Sequence, residues 1–120
     1  MRQLFVFGNE FLADDAFARE VASDLGDIFD VVHCRSPEQL LDTDSDELNI
    51  LDVVRGIENP MMITDIDRIR TRSMISLHDF DLGFFLHLME GMGMRKFVRI
   101  FGVPETGNSK EVARVIKGWL

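Results

Sequence analysis

Apolar residues fall in short runs separated by polar, turn-forming stretches, and the runs alternate between two periods. LFVF, within a first strand over Gln3–Phe7, is continuously apolar, as expected of a strand covered on both faces. In the next segment, Asp15–Leu25, Phe17, Val21 and Leu25 recur four residues apart and share one face of a predicted helix. A second strand is predicted over Asp30–Cys34, after which Ser36 caps a short helix with Pro37 in its first turn. The acidic stretch DTDSDE, Asp42–Glu47, reads as a solvated loop. Strand three is predicted over Leu48–Val54 and the short strand four over Met61–Thr64.

Asp65–Leu77 is a polar, basic connection with no clear period. A helix over Asp79–Gly91 follows, with Leu82, Phe85, Leu86 and Met89 as its core stripe. Phe84 and Leu88 extend its apolar surface round to other faces, so it is expected to be deeply buried or to meet a partner. Strand five, Lys96–Val103, is strongly apolar and is stopped by Pro104. Ser109 is expected to cap a last helix whose stripe is Val112, Val115, Ile116 and Trp119.

Five strands interleaved with helices predict a three-layer α/β sandwich, with one domain over residues 1–120. One connection breaks the alternation. Only RGIENP separates strands three and four, whereas a helical crossover between parallel strands needs about a dozen residues. Strand four is therefore expected to run antiparallel in an otherwise parallel sheet, with strands one and three placed centrally.

Composition narrows the function more than the fold. The formal net charge is −8, which argues against nucleic acid as the main partner, since phosphate binding needs clustered Lys and Arg. No apolar run approaches the roughly 18 residues of a membrane span. The first strand begins at once, with no signal-peptide pattern before it, and Cys34 has no second cysteine to pair with. A cytoplasmic address is the expectation.

The candidate chemistry lies where ligands sit in such sheets, beyond the carboxyl ends of the parallel strands. Asp15 follows strand one, Asp52 ends the apolar run of strand three, and His78 opens the Asp79–Gly91 helix. A carboxylate at an apolar strand end is costly unless it is paired or holds a metal. Two carboxylates and an imidazole form a mixed oxygen and nitrogen ligand set for a borderline divalent ion, with positions left open. Each residue also has a plainer use. Asp14 or Asp15 suits a helix cap, Asp52 a pair with Arg55, and His78 a helix start. His33 and Cys34 are adjacent on one strand and face opposite ways, which disfavours a nucleophile pair. His87 reads as a packed helix histidine, and Met89, Met92 and Met94 as core and loop.

The order of these motifs resembles the maturation endopeptidases of nickel-iron hydrogenases. Their opening typically reads G-N-x-L-x-x-D-[DE]-G-x-G, and here it stands as GNEFLADDAFA, Gly8–Ala18. NILDVV is similar to their strand-end I-x-x-D-A and puts Asp52 in the acidic position. SLHDFDL, Ser76–Leu82, resembles their S-x-H-x-x-x-L and puts His78 in the histidine position, and VRIFGVPE resembles their final strand. The resemblance implies a five-stranded mixed sheet of the phosphorylase/hydrolase-like kind, with strand four antiparallel. It also implies an endopeptidase that removes a C-terminal extension from a hydrogenase large-subunit precursor after nickel insertion. Asp15, Asp52 and His78 would contact that nickel, which the substrate carries, and no tightly bound cofactor is expected. Asp14 would cap the helix or orient its neighbour.

The chain departs from the pattern at three places. Ala16 and Ala18 stand where glycines usual in the family follow the acids, and HCRSPEQLL stands where the family has D-G-G-T after strand two. The chain is also short between strands two and four. A non-catalytic relative that binds a hydrogenase precursor as a scaffold is the alternative these departures raise. A response-regulator receiver domain shares the acid pair, Asp52 and Thr64. It requires a helix where RGIENP stands and a lysine where Val103 stands.

Overall fold

The computed structural model describes residues 2–7, 16–43, 45–54, 56–64, 89–93 and 96–120. Five strands form one sheet: β1 (Arg2–Phe7), β2 (Phe29–Cys34), β3 (Glu47–Val53), β4 (Met61–Ile63) and β5 (Phe97–Val103). Two α-helices, α1 (Ala16–Asp24) and α2 (Ser109–Gly118), and a short 3-10 helix over Pro37–Asp42 accompany them. The strand order is β2-β1-β3-β5-β4. β1 pairs in parallel with β2 and β3, β3 pairs in parallel with β5, and β4 runs antiparallel to β5. The mixed sheet and its antiparallel fourth strand are those the short RGIENP link predicts. The same antiparallel strand removes the receiver reading, whose sheet is all parallel.

The link does more than reverse direction. The chain leaves β3 at Val54, crosses the carboxyl end of β5, and returns along the far side of β5 as β4. The Val54 N–H donates to the Val103 carbonyl at 2.8 Å, which fixes the start of the crossing. Gly56, at φ 82°, supplies a left-handed turn residue within it.

Alternation along the strands divides the core in two. Leu4, Val6, Leu51, Val53, Phe101 and Val103 face α1 and α2 and pack with Phe17, Val21, Leu25 and Ile116. Phe5, Phe7, Leu48, Ile50, Val98 and Ile100 face the other way and pack with Leu40 of the 3-10 helix, Ile63 and Met89. All four residues of LFVF are buried, consistent with an inner strand. Phe101 anchors the first layer, tilted against Phe29 with centroids 6.4 Å apart and stacked on Trp119 at 6.3 Å.

The helix ends refine the sequence reading. Asn108, rather than Ser109, is the N-cap of α2, and its side chain accepts from the Glu111 N–H at 3.1 Å. Ser109 lies inside the helix and donates its hydroxyl to Asp24 Oδ2 of α1 at 2.8 Å. Val112 and Ile116 are buried as expected, but Val115 and Trp119 lie on the exposed margin of the stripe. Ser36 occupies the N-cap position of the 3-10 helix, and the Gln39 carboxamide reaches back to accept the Ser36 N–H at 3.2 Å. The Asp79–Gly91 helix lies outside the described residues except for its last turn, where residues 89–91 are helical and Met89 is buried. No described helix is long and apolar enough to cross a membrane.

Candidate functional site

The parallel strands β1, β2, β3 and β5 all end on one edge of the sheet, the edge where β4 begins. Asp52 is the penultimate residue of β3 on that edge. Its side chain is on the face of Leu48 and Ile50, because strand side chains alternate, so it enters the sheet's second apolar layer. It is 1% exposed.

Among the described residues the carboxylate is only half satisfied. Oδ1 accepts the Val53 N–H at 2.8 Å. Oδ2 is buried and has no hydrogen-bond partner among the described residues. Arg55, the cation nearest in sequence, lies outside the described residues, so the pairing of Asp52 with Arg55 does too. An ionised carboxylate moved from water into an apolar interior costs several kcal/mol unless donors or a cation compensate it. Strand geometry holds Asp52 in this place. Its register in β3 is fixed by seven parallel pairs with β5, from Glu47 with Phe97 to Val53 with Val103.

The residue across from Asp52 on β5 is Gly102. A Cβ added there would lie 2.7 Å from Val54 Cγ2 and 3.0 Å from Met61 Cγ. The missing side chain is therefore what lets the β3–β4 link close over β5 beside the carboxylate. Sequence reasoning did not single out Gly102. The signal was present as the one glycine inside an apolar strand, a usual mark of close backbone approach.

Of the sequence-predicted site residues, Asp52 is described and stands buried at the expected strand end. Asp15 and His78, with Asp14, Gly8, Asn9 and His87, lie outside the described residues. The chain between Phe7 and Ala16 joins the carboxyl end of β1 to the start of α1, and Asp15 immediately precedes that helix. Ala18, one of the two departures from the glycine pattern, is fully buried in the core between α1 and the sheet. His33 is exposed and Cys34 buried, as opposite-facing neighbours on β2 must be. Met89 fills the core, while Met92 is 59% exposed in the following turn. Among the described residues, no group of His, Cys, Asp and Glu side chains is arranged to hold a metal ion.

No protein-family profile and no curated protein sequence matches the chain. Solved structures do. The hydrogenase maturating endopeptidase HybD from E. coli is similar over 98% of this chain and 91% of its own, with a TM-score of 0.66 and 22% identity. The endopeptidase HycI from Escherichia coli is similar over 99% of this chain and 91% of its own, with a TM-score of 0.68 and 19% identity. An uncharacterised protein from Wolinella succinogenes matches over 98% and 92%, with a TM-score of 0.54 and 16% identity. The chain thus has, over nearly its whole length, the fold of these endopeptidases.

Proposed function

We propose that the chain is a C-terminal processing endopeptidase of the hydrogenase maturation type, acting on a large-subunit precursor in the cytoplasm. The observation that carries this reading is Asp52, a buried carboxylate whose Oδ2 has no partner among the described residues, at the ligand-binding edge of a fold shared with such endopeptidases. Asp15 and His78 complete the proposed site from the segments after β1 and β4.

The nickel in this reading belongs to the substrate. A carboxylate buried among apolar side chains has a standing need for a cation, and an oxygen donor on a rigid strand is held ready without reorganisation. The protein would thereby discriminate a nickel-loaded precursor from an empty one, since only the former supplies the missing charge. The bound ion would also polarise the scissile carbonyl or a water. Asp52 Oδ1 is committed to the Val53 N–H, so Oδ2 is the oxygen offered to the substrate.

The test is a processing gel with nickel-loaded and nickel-free precursor. Cleavage of the loaded form alone, lost in Asp52→Ala, supports the reading. Cleavage of both forms at equal rates would remove the metal from the mechanism.

A second reading keeps the fold and drops the chemistry. The family's D-G-G-T segment is replaced here by HCRSPEQLL, which holds the end of β2 and most of the 3-10 helix over Pro37–Asp42, with Leu40 fully buried. Replacement of a segment usual in the family fits a non-catalytic scaffold for the precursor. Binding of the loaded precursor without cleavage would decide for this reading.

A further inference from the structure

The edge of the sheet opposite Asp52 holds a second polar group inside an apolar strand pair. Asn49 on β3 and Arg99 on β5 are direct register partners, and both face the layer of α1 and α2. Sequence reasoning gave neither a role, yet each interrupts an apolar run, in LNIL and in VRIF.

Both head groups converge on one carboxylate. Asn49 Nδ2 donates to Glu47 Oε1 at 3.1 Å, and Arg99 Nη2 donates to the same oxygen. Arg2 stands 3.9 Å from the other oxygen, Oε2. This arrangement fixes the orientation of the Asn49 amide, because a flipped amide would set its oxygen against the carboxylate. Asn49 Oδ1 is therefore turned away from Glu47. It is buried and has no hydrogen-bond partner among the described residues, and the same is true of Arg99 Nε.

One buried acceptor and one buried donor thus remain on neighbouring side chains that touch the same oxygen. Their chemistry selects the missing member. An anion would satisfy Arg99 Nε but has no proton for Asn49 Oδ1. A cation would do the reverse. A molecule that both accepts and donates satisfies the two together, and water is the smallest of that class.

We propose that a single ordered water occupies this place, accepting from Arg99 Nε–H and donating to Asn49 Oδ1. It closes a network of Arg2, Glu47, Asn49 and Arg99 that spans β1, β3 and β5. The site is independent of the proteolytic reading, for it lies at the other end of β3 and on the other face from Asp52. It gives the three inner strands a polar register mark, since a one-residue slip would turn Arg99 into the apolar layer of Val98 and Ile100.

The test is a high-resolution crystal structure of the full chain, paired with water-oxygen relaxation dispersion in solution to count long-lived internal waters. Density within about 3 Å of both Arg99 Nε and Asn49 Oδ1, refining as water, is the expected result. A direct Nε–H to Oδ1 hydrogen bond, a side chain from elsewhere in the chain, or an anion seated on Arg99 would each overturn it. In Asn49→Leu the count of long-lived waters falls by one, and an unchanged count in a folded variant would also overturn it. Should that variant not fold, the wild-type density decides alone.

Discussion

Asp52 and Gly102 face one another across β3 and β5, the buried carboxylate on one strand and the absent side chain on the next. The pairing joins the fold's unusual connection to its candidate site. The β3–β4 link crosses β5 where Gly102 leaves room for Val54 and Met61, and so walls the carboxylate on that side.

Gly102→Ala tests this closure. The added methyl would meet Val54 Cγ2 at 2.7 Å, inside any real contact distance, so the Val54 side chain or the link that carries it must shift. Forcing an extra carbon into a well-packed interior costs about 1–3 kcal/mol. Thermal melts should show a clear fall in Tm, and processing activity should fall with it as the wall beside Asp52 shifts. An unchanged Tm would mean that the crossing is looser than the packing shows.

Glu47 predicts a specific acid sensitivity. Burial works to raise its pKa from the ordinary value of 4.5, but the Asn49 hydrogen bond and the nearby charges of Arg99 and Arg2 outweigh it and hold the carboxyl below that value. A depressed folded-state pKa contributes stability above the unfolded value and loses it as pH falls through the folded one. Wild-type protein should thus lose stability below about pH 4.5 partly through this group. Glu47→Gln should be less stable at pH 7 and should approach wild type in acid. Urea midpoints for both proteins at pH 7 and pH 3 measure it; parallel pH profiles would count against the network.

The two residues at the start of α2 should separate on substitution. Asn108→Ala removes the cap on the Glu111 N–H and should cost about 0.5–2 kcal/mol. Ser109→Ala removes a hydrogen bond to Asp24 on α1, with a net cost of about 0.5–1.5 kcal/mol, and leaves the cap in place. Helix content near the α2 terminus, followed by amide exchange at Glu111, should rise in exchange rate for Asn108→Ala alone. Equal protection at Glu111 in both variants would contradict the assignment of the cap.

These features differ in how far the chain announced them. The inner place of β1 was legible from the apolar run LFVF, and the antiparallel β4 because RGIENP is too short for a crossover, a constraint of chain length and not of tertiary context. The burial of Asp52 was legible from its place at the end of an apolar run. The cap of α2 was misplaced by one residue because Asn108 and Ser109 are both good cap formers and sequence alone does not rank them. Val115 and Trp119 were read as core because three- and four-residue spacings mark a face without marking its edge, and only the exposure of each side chain shows where the stripe ends. Gly102 and the Asn49–Arg99 pair were not foreseen, since both depend on which strands become neighbours.

Asp52→Asn carries the most weight for the candidate site. Asparagine keeps the shape of the side chain and an oxygen to accept the Val53 N–H, but it removes the charge. The carboxylate is buried and its Oδ2 has no partner among the described residues, so neutralising it removes a desolvation cost. The melting temperature should stay level or rise. Processing of nickel-loaded precursor should nonetheless be lost, because a neutral amide is a poor partner for a divalent ion. Asp15→Ala and His78→Ala should likewise abolish processing and leave the fold intact. A Leu51→Ala control behaves in the opposite way, losing about 2–5 kcal/mol from the core of β3 without touching the chemistry. The measurements are a melting curve and a processing gel for each variant. Loss of activity with retained or raised stability marks Asp52 as a residue kept for function at the expense of the fold. Normal processing by Asp52→Asn would instead show that the buried carboxylate serves the fold alone and that the substrate's metal is read elsewhere.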